Sequence, residues 1–184
     1  MFSATSLTYS CTRFLDQSLR IALVFAIALT LPPSSHGDQI ELKQCSDHQD
    51  ARDIAIKSAE IKDLEVGKTF HVDVTVDSKK QFDSNPELKL DIFTSNKAKI
   101  PCVFGFGSCT YKLCGGTSAM EKLLSSPWDG KCPIKAQEYK KKVSFHLPHL
   151  VKPFIGDGRL HLRGEMMDGG KLVACQEFDV QVKM

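Results

Sequence analysis

Three cysteines, Cys102, Cys109 and Cys114, fall within the stretch Ile100–Cys114, IPCVFGFGSCTYKLC. Between the first two runs Val103-Phe104-Gly105-Phe106-Gly107, which is apolar where loops are ordinarily polar. A glycine-punctuated segment clamped by cysteine and carrying two phenylalanines must meet something apolar. That partner is either the chain's own core or a ligand, and this stretch alone leaves both open.

The chain has 184 residues, 25% of them charged and 42% hydrophobic, values that suggest one globular domain. Arg13 and Arg20 precede an apolar run of eleven residues, Ile21–Leu31, followed by PPSSHG. That run fits a secretory h-region and is short of the roughly 20 residues a spanning helix needs. With small residues at Ser35 and Gly37, residues 1–37 are expected to be a signal peptide and 38–184 the mature domain. Removing them takes Cys11 away and leaves six cysteines, at 45, 102, 109, 114, 132 and 175. An even count in a secreted chain reads as three disulfides, for which 15 pairings are possible. Zinc is the rival use of Cys102, Cys109, Cys114 and Cys132, but there is no CxxC knuckle and the compartment is oxidising.

Residues 69–77 show the clearest pattern. Phe70, Val72, Val74 and Val76 face one way, and His71, Asp73, Thr75 and Asp77 the other, the period of a strand with one wet face. Ile54 and Ile56 begin an earlier strand. Leu88, Leu90 and Ile92 alternate after the Asn85-Pro86 turn. Tyr139, Val143, Phe145 and Leu147 alternate with Lys141 as the one interruption. Leu160 and Leu162 mark another strand, Asp168-Gly169-Gly170 a hairpin turn, and 172–182 a last strand. Ser118 and Glu121 form a capping box for one short helix with Met120, Leu123 and Leu124 on a single face, ended by Pro127. Six to eight short strands with one helix predict an all-β, antiparallel two-sheet sandwich stapled by disulfides.

Chemistry-bearing motifs are scarce. There is no GxSxG, HExxH or phosphate-binding loop, and GFGSC lacks the glycine and lysine that would make it one. His146 and His149 flank a proline and read as surface residues. Nothing brings Asp157 and Glu165 together, and oxidised cysteines leave no thiol nucleophile. An enzyme, a metal site, a cofactor and a nucleic-acid partner are all unexpected. The mature chain carries 22 basic and 21 acidic residues, but 131–171 holds nine basic against four acidic. That local excess is either a solvated face or a surface for anionic lipid.

What stands out is apolar side chains in connecting segments: Val103, Phe104 and Phe106; Met120, Leu123 and Leu124; Trp128; and Leu150, Val151, Phe154 and Ile155 among prolines. Each alone reads as a loop residue folded on the sandwich. Together they predict a cup held open by apolar loops, with lipid as the filling and loop tips as a membrane-touching rim. Phe104, Phe106, Trp128, Phe154 and Ile155 are the expected tips, with Lys131, Lys135, Lys140, Lys152 and Arg159 supplying the basic character.

The motif IPCxxxxGSC, the cysteine five residues on, Cys132-Pro133, SFHLP at 144–148 and GGKLVAC at 169–175 resemble the ganglioside GM2 activator branch of the MD-2-related lipid-recognition (ML) family. The resemblance covers residues from about 40 onward. It implies a β-cup around a lipid cavity and the pairings Cys45–Cys175, Cys102–Cys109 and Cys114–Cys132. It also implies a non-enzymatic protein of the secreted or endolysosomal lumen that lifts glycosphingolipid from an anionic membrane surface. The lipid would then be presented to a lysosomal glycosidase, beta-N-acetylhexosaminidase. Members of that branch carry a further cysteine pair that has no counterpart among 115–131, and no Asn-x-Ser/Thr site is present here. A secreted ML carrier or sensor of sterol, fatty acid or microbial lipid, including a venom or secretion component, is the alternative. A hydrolase, or an inhibitor of one, is the rival from another class.

Overall fold

In the computed structural model, which describes residues 37–184, the alternating stretch becomes the central strand β4 (Thr69–Ser78) of a four-stranded sheet. The expected signal peptide, residues 1–37, lies outside the described residues apart from Gly37. Beside β4 run β3 (Ile54–Lys62) and β7 (Glu138–His146), with the two-residue β1 (Asp38–Gln39) on the far edge of β3. The second sheet contains β5 (Glu87–Thr94), β6 (Thr110–Lys112), β8 (Arg159–Asp168), β9 (Lys171–Gln181) and the short β2 (Lys43–Gln44), in the order β2-β9-β8-β5-β6. All these neighbours pair antiparallel.

Four features are not legible in the sequence: the length and bulge of β3, and the short strands β1, β2 and β6. The strand at Ile54 is nine residues long, and its register shifts between Ile56 and Ser58. Past this bulge the inward positions become Ala59 and Ile61, so strict alternation fails and only Ile54 and Ile56 stand out in the sequence. The short β6 pairs with β5 through Tyr111 opposite Leu88 and has too few residues to show a period.

The sheets are sewn together along one side. Gln176 on β9 accepts the Ile56 N–H through Oε1 (2.7 Å) and donates from Nε2 to the Ile56 carbonyl (3.1 Å). An interior amide whose groups are both paired carries no desolvation penalty from unmade bonds. The Gly169-Gly170 turn, with φ of 56° and 78°, closes the β8–β9 hairpin between Asp168 and Lys171.

The helix α1 (Ala119–Leu124) starts where the capping box placed it. Ser118 Oγ accepts the Glu121 N–H at 3.2 Å, and Glu121 Oε2 accepts the Ser118 and Thr117 N–H groups at 3.0 Å. Glu121 Oε1 also accepts the Lys112 N–H at 3.1 Å, so one carboxylate ties the helix to β6. These donors, the Ser118 N–H first, lower the Glu121 pKa from 4.5 to about 2. A carboxylate whose folded pKa is depressed stabilises above its unfolded value and loses that contribution as pH falls through the folded one. The helix cap is therefore expected to persist in mildly acidic conditions and to fray between about pH 4.5 and 2. Amide exchange at residues 117–122 measures this. In Glu121→Gln, which has no charge to lose, the protection should show no such step.

All three disulfides have the pairing that the resemblance implies: Cys45–Cys175, Cys102–Cys109 and Cys114–Cys132. A 3-10 turn at Ser126–Trp128 follows α1, and a second at His149–Phe154 follows β7.

Candidate functional site: an apolar cavity and its mouth

The inner faces of the two sheets do not meet. Between them lies a cavity of about 430 Å³. Its walls are the inward residues of the strands, among them Phe70, Val72 and Val74 of β4, Leu90 and Ile92 of β5, and Phe178 and Val180 of β9. Among the described residues no charged side chain lines it, and four lining side chains carry nitrogen or oxygen: Tyr111, Ser126, Trp128 and Gln176. Three of these have their polar atoms committed to backbone. Tyr111 donates to the Gly107 carbonyl at 3.1 Å, Trp128 Nε1 donates to the Leu113 carbonyl at 2.6 Å, and Gln176 holds Ile56. Burial pushes the Tyr111 hydroxyl up to about 12, so it remains a donor.

The cysteine-clamped loop forms one border of the cavity. Val103 and Phe106 exchange backbone bonds of 2.8 and 2.9 Å, leaving Phe104 and Gly105 as a two-residue hairpin tip at φ of 51° and 79°. Two positive φ values define a type I′ turn, which favours Asn-Gly; a phenylalanine in its first position is strained by roughly 1–3 kcal/mol. Phe104 nonetheless stands 87% exposed. Gly107 is obligatory, because at φ 95° a Cβ would lie 2.1 Å from the Pro101 carbonyl oxygen. The hairpin thus points Phe104 outward while Val103 and Phe106 face the cavity. Phe106 packs on Phe145 at 5.8 Å, and Phe145 on Phe70 at 5.8 Å, so the loop meets two rings of the four-stranded sheet here.

The turn His149–Phe154 forms the facing border. Leu150 and Phe154 line the cavity yet are 46% and 39% exposed, which places the mouth beside them. Val151 and Ile155, from the same turn, point inward and are buried in the cluster with Val66, Ile100 and Leu160. Met120, Leu123 and Leu124 of α1 line the wall further along.

Two of the three apolar segments therefore converge, and the third does not. Trp128 packs edge-on against Tyr139 at 5.9 Å, whereas the mouth lies at Phe145. Six residues of β7 separate these, about 20 Å of strand. Trp128 is wall and core rather than a tip, and Ile155, at 5% exposure, is likewise no tip. The basic stretch is divided for the same reason, since β7 carries the chain from one end to the other. Lys131 and Lys135 lie before β7, at the Trp128 end. Lys140 pairs with Glu138 (3.0 Å), Lys141 with Asp129 (2.9 Å) and Arg159 with Asp157 (2.7 Å). Of the five cations expected at the rim, Lys152 is the one at the mouth without an ion pair among the described residues.

The strand-borne walls escaped sequence reading as ligand contacts, because a strand facing a cavity alternates as one facing a packed core does. His146 and His149 are both exposed, and among the described residues no cluster of His, Cys, Asp and Glu could hold a metal. No helix among the described residues is long and apolar enough to cross a membrane.

A disulfide-stapled sandwich whose sheets stand apart around an apolar cavity is a lipid-binding cup. The family model for the ML domain matches residues 39–182, and the chain belongs to that family of lipid-binding domains, whose members are generally non-enzymatic. No curated protein matches the sequence. Among solved structures, a Niemann-Pick type C2 protein from Japanese carpenter ant aligns over 78% of this chain and 99% of its own, at 13% identity and TM-score 0.48. The C-terminal domain of wzt aligns over 82% of this chain and 81% of its own, at 11% identity and TM-score 0.42.

Proposed function

We propose that this protein lifts a lipid from a membrane surface into its cavity, shields it and presents it to a soluble partner, without catalysis or cofactor of its own. In the form that the residue resemblance suggests, the lipid is a glycosphingolipid and the partner a lysosomal hexosaminidase. The supporting observation is a mouth bordered by side chains that are apolar on both sides: Phe104, Leu150 and Phe154 outward, Phe106, Val151 and Ile155 inward. Full burial of a large apolar tip contributes about 1.5–3 kcal/mol, and Lys152 on an anionic surface about 1. Those magnitudes suit reversible docking. Paired cysteines and the apolar leader fit a secreted or endolysosomal lumen.

A second reading, a carrier or sensor of sterol, fatty acid or microbial lipid, is favoured by the cavity itself. About 430 Å³ lies within the range of small-molecule pockets, and walls without a charged side chain among the described residues suit a wholly apolar body such as a sterol nucleus or an alkyl chain.

Phe104→Ala combined with Phe154→Ala is expected to weaken binding to anionic vesicles at least about tenfold and to slow lipid extraction in step, with the melting temperature unchanged. Full vesicle binding by the double variant would remove the docking mechanism. Mass analysis of lipid co-purified from the native source separates the readings: glycosphingolipid favours the activator, sterol or free fatty acid the carrier. Hydrolysis stimulated in an added hexosaminidase, with none by this protein alone, completes the activator case.

A further inference from the structure

The cavity wall has a gap in the middle of its central strand. β8 is third of the five strands in its sheet, between β9 and β5, and four of its residues line the cavity: Leu160, Leu162, Gly164 and Met166. Three are large and apolar, and the fourth has no side chain. Gly164 is paired on both sides, with Leu90 and with Gln176, yet it keeps accessible surface. From Leu162 to Met166, about 13 Å of strand, no β8 side chain rises into the cavity.

Neither backbone conformation nor packing requires glycine here. Its φ is not left-handed, and the register shift of β8 comes later, between Met166 and Met167. Among the described residues, a Cβ on Gly164 would meet two atoms within 4 Å, Leu88 Cδ1 at 3.4 Å and the Gln176 backbone oxygen at 3.9 Å. Both are ordinary van der Waals contacts. The Gln176 amide that holds Ile56 is not one of them, so alanine would leave that bridge intact. Glycine inside a strand costs chain entropy on folding and contributes no packing. With no bulge or bend to explain it, such a glycine marks the close approach of another group, and what fronts Gly164 is the cavity.

We propose that Gly164 sets the breadth of lipid the cavity accepts: its bare backbone is a recess for an apolar body wider than one alkyl chain. This deepens the lipid-binding reading above and rests on it. Two kinds of lipid have that breadth, a fused-ring sterol and a pair of chains on one head. A side chain at 164 would occupy the recess while leaving Leu90, Leu162 and Met166 in place, so it penalises the broad lipid before the narrow one.

The test measures binding of cholesterol, glucosylceramide and hexadecanoic acid to the full disulfide-bonded protein. Wild type should bind at least one of the two broad lipids. In Gly164→Val the preference for that lipid over hexadecanoic acid should fall at least about fivefold, the lower end for forcing extra methyl groups into an occupied site. Gly164→Ala should lower the same preference at least about twofold. Without lipid, Gly164→Ala should melt no lower than wild type and up to about 4 °C higher, because it restricts the unfolded chain at a compatible φ. The broad lipid whose preference falls is the one seated on the recess. Preferences unchanged in both variants, or equal proportional losses for all three lipids, overturn the recess. A Gly164→Ala protein that melts markedly lower also overturns it, by showing the glycine to be structural. Wild type that binds hexadecanoic acid and neither broad lipid overturns the recess and leaves the lipid-binding reading standing. Binding of none of the three overturns both.

Discussion

Trp128→Ala is expected to destabilise the protein by about 3–5 kcal/mol, the range for truncating a large aromatic in a packed region. For a domain of this size that corresponds to a fall of about 6–20 °C in melting temperature. The indole contributes in two ways. Its ring meets Tyr139 at 72° between planes, the edge-on arrangement that adds to plain burial. Its Nε1–H satisfies the carbonyl of Leu113, a residue 3% exposed, and truncation leaves that acceptor buried and unpaired. The predicted role as a membrane tip implies the reverse: unchanged stability and weaker vesicle binding. Urea denaturation beside vesicle sedimentation decides between them. A Trp128→Ala protein as stable as wild type, yet poor at membranes, would restore the rim assignment and contradict the packing seen here. Phe104→Ala is the control, because a side chain 87% exposed has little packing to lose.

The misplacement of Trp128 shows where sequence reading stops. SSPWDGKC carries the serines, proline and glycine of a surface loop, and they do form one. What the string does not carry is the direction of the indole, which is fixed by partners at Leu113 and Tyr139, 15 and 11 residues away. Local signals fared better. The alternation in 69–77, the Ser118–Glu121 box and the Asp168-Gly169-Gly170 turn each encode their geometry within a few residues, and each folds as expected. The bulge after Ile56 defeated the period argument because one extra residue reverses the phase. Its stabilising partner, Gln176, lies 120 residues on. The cavity was the hardest feature to read. Whether Val72 and Leu90 touch each other or a lipid depends on the spacing of two sheets. The residues that border the cavity with it, Phe106, α1 and the 149–154 turn, are remote from Val72 in sequence, and no property of Val72 itself reveals them.

Among the staples, replacing Cys45 and Cys175 together by alanine is expected to have the largest effect. The two are 130 residues apart in sequence with Cα atoms at 5.5 Å, and both are fully buried. If the bond acts by restricting the unfolded chain, its contribution is near 5 kcal/mol, with measured values for native disulfides at about 2–5. Cys102–Cys109 spans only 7 residues, so the same account makes its removal about 2–3 kcal/mol less damaging. The long bond also has a local task. The segment before β3 is held to β9 by two paired residues of β2 and a few backbone bonds, Cys45 N–H to the Cys175 carbonyl at 3.4 Å and Cys175 N–H to the Ala51 carbonyl at 3.3 Å. Ile40 and Leu42 of this segment line the cavity. Without the disulfide the segment should open before the rest of the domain, exposing the edge of β9 and unsealing one wall of the cup. Amide protection at residues 39–45 should then collapse while that of β4 and β8 persists, and bound lipid should exchange faster. Matching losses of stability from the Cys45–Cys175 and Cys102–Cys109 variants would rule out the chain-entropy account. Intact protection at 39–45 would show that the segment is held by its apolar contacts with the cavity wall rather than by the bond.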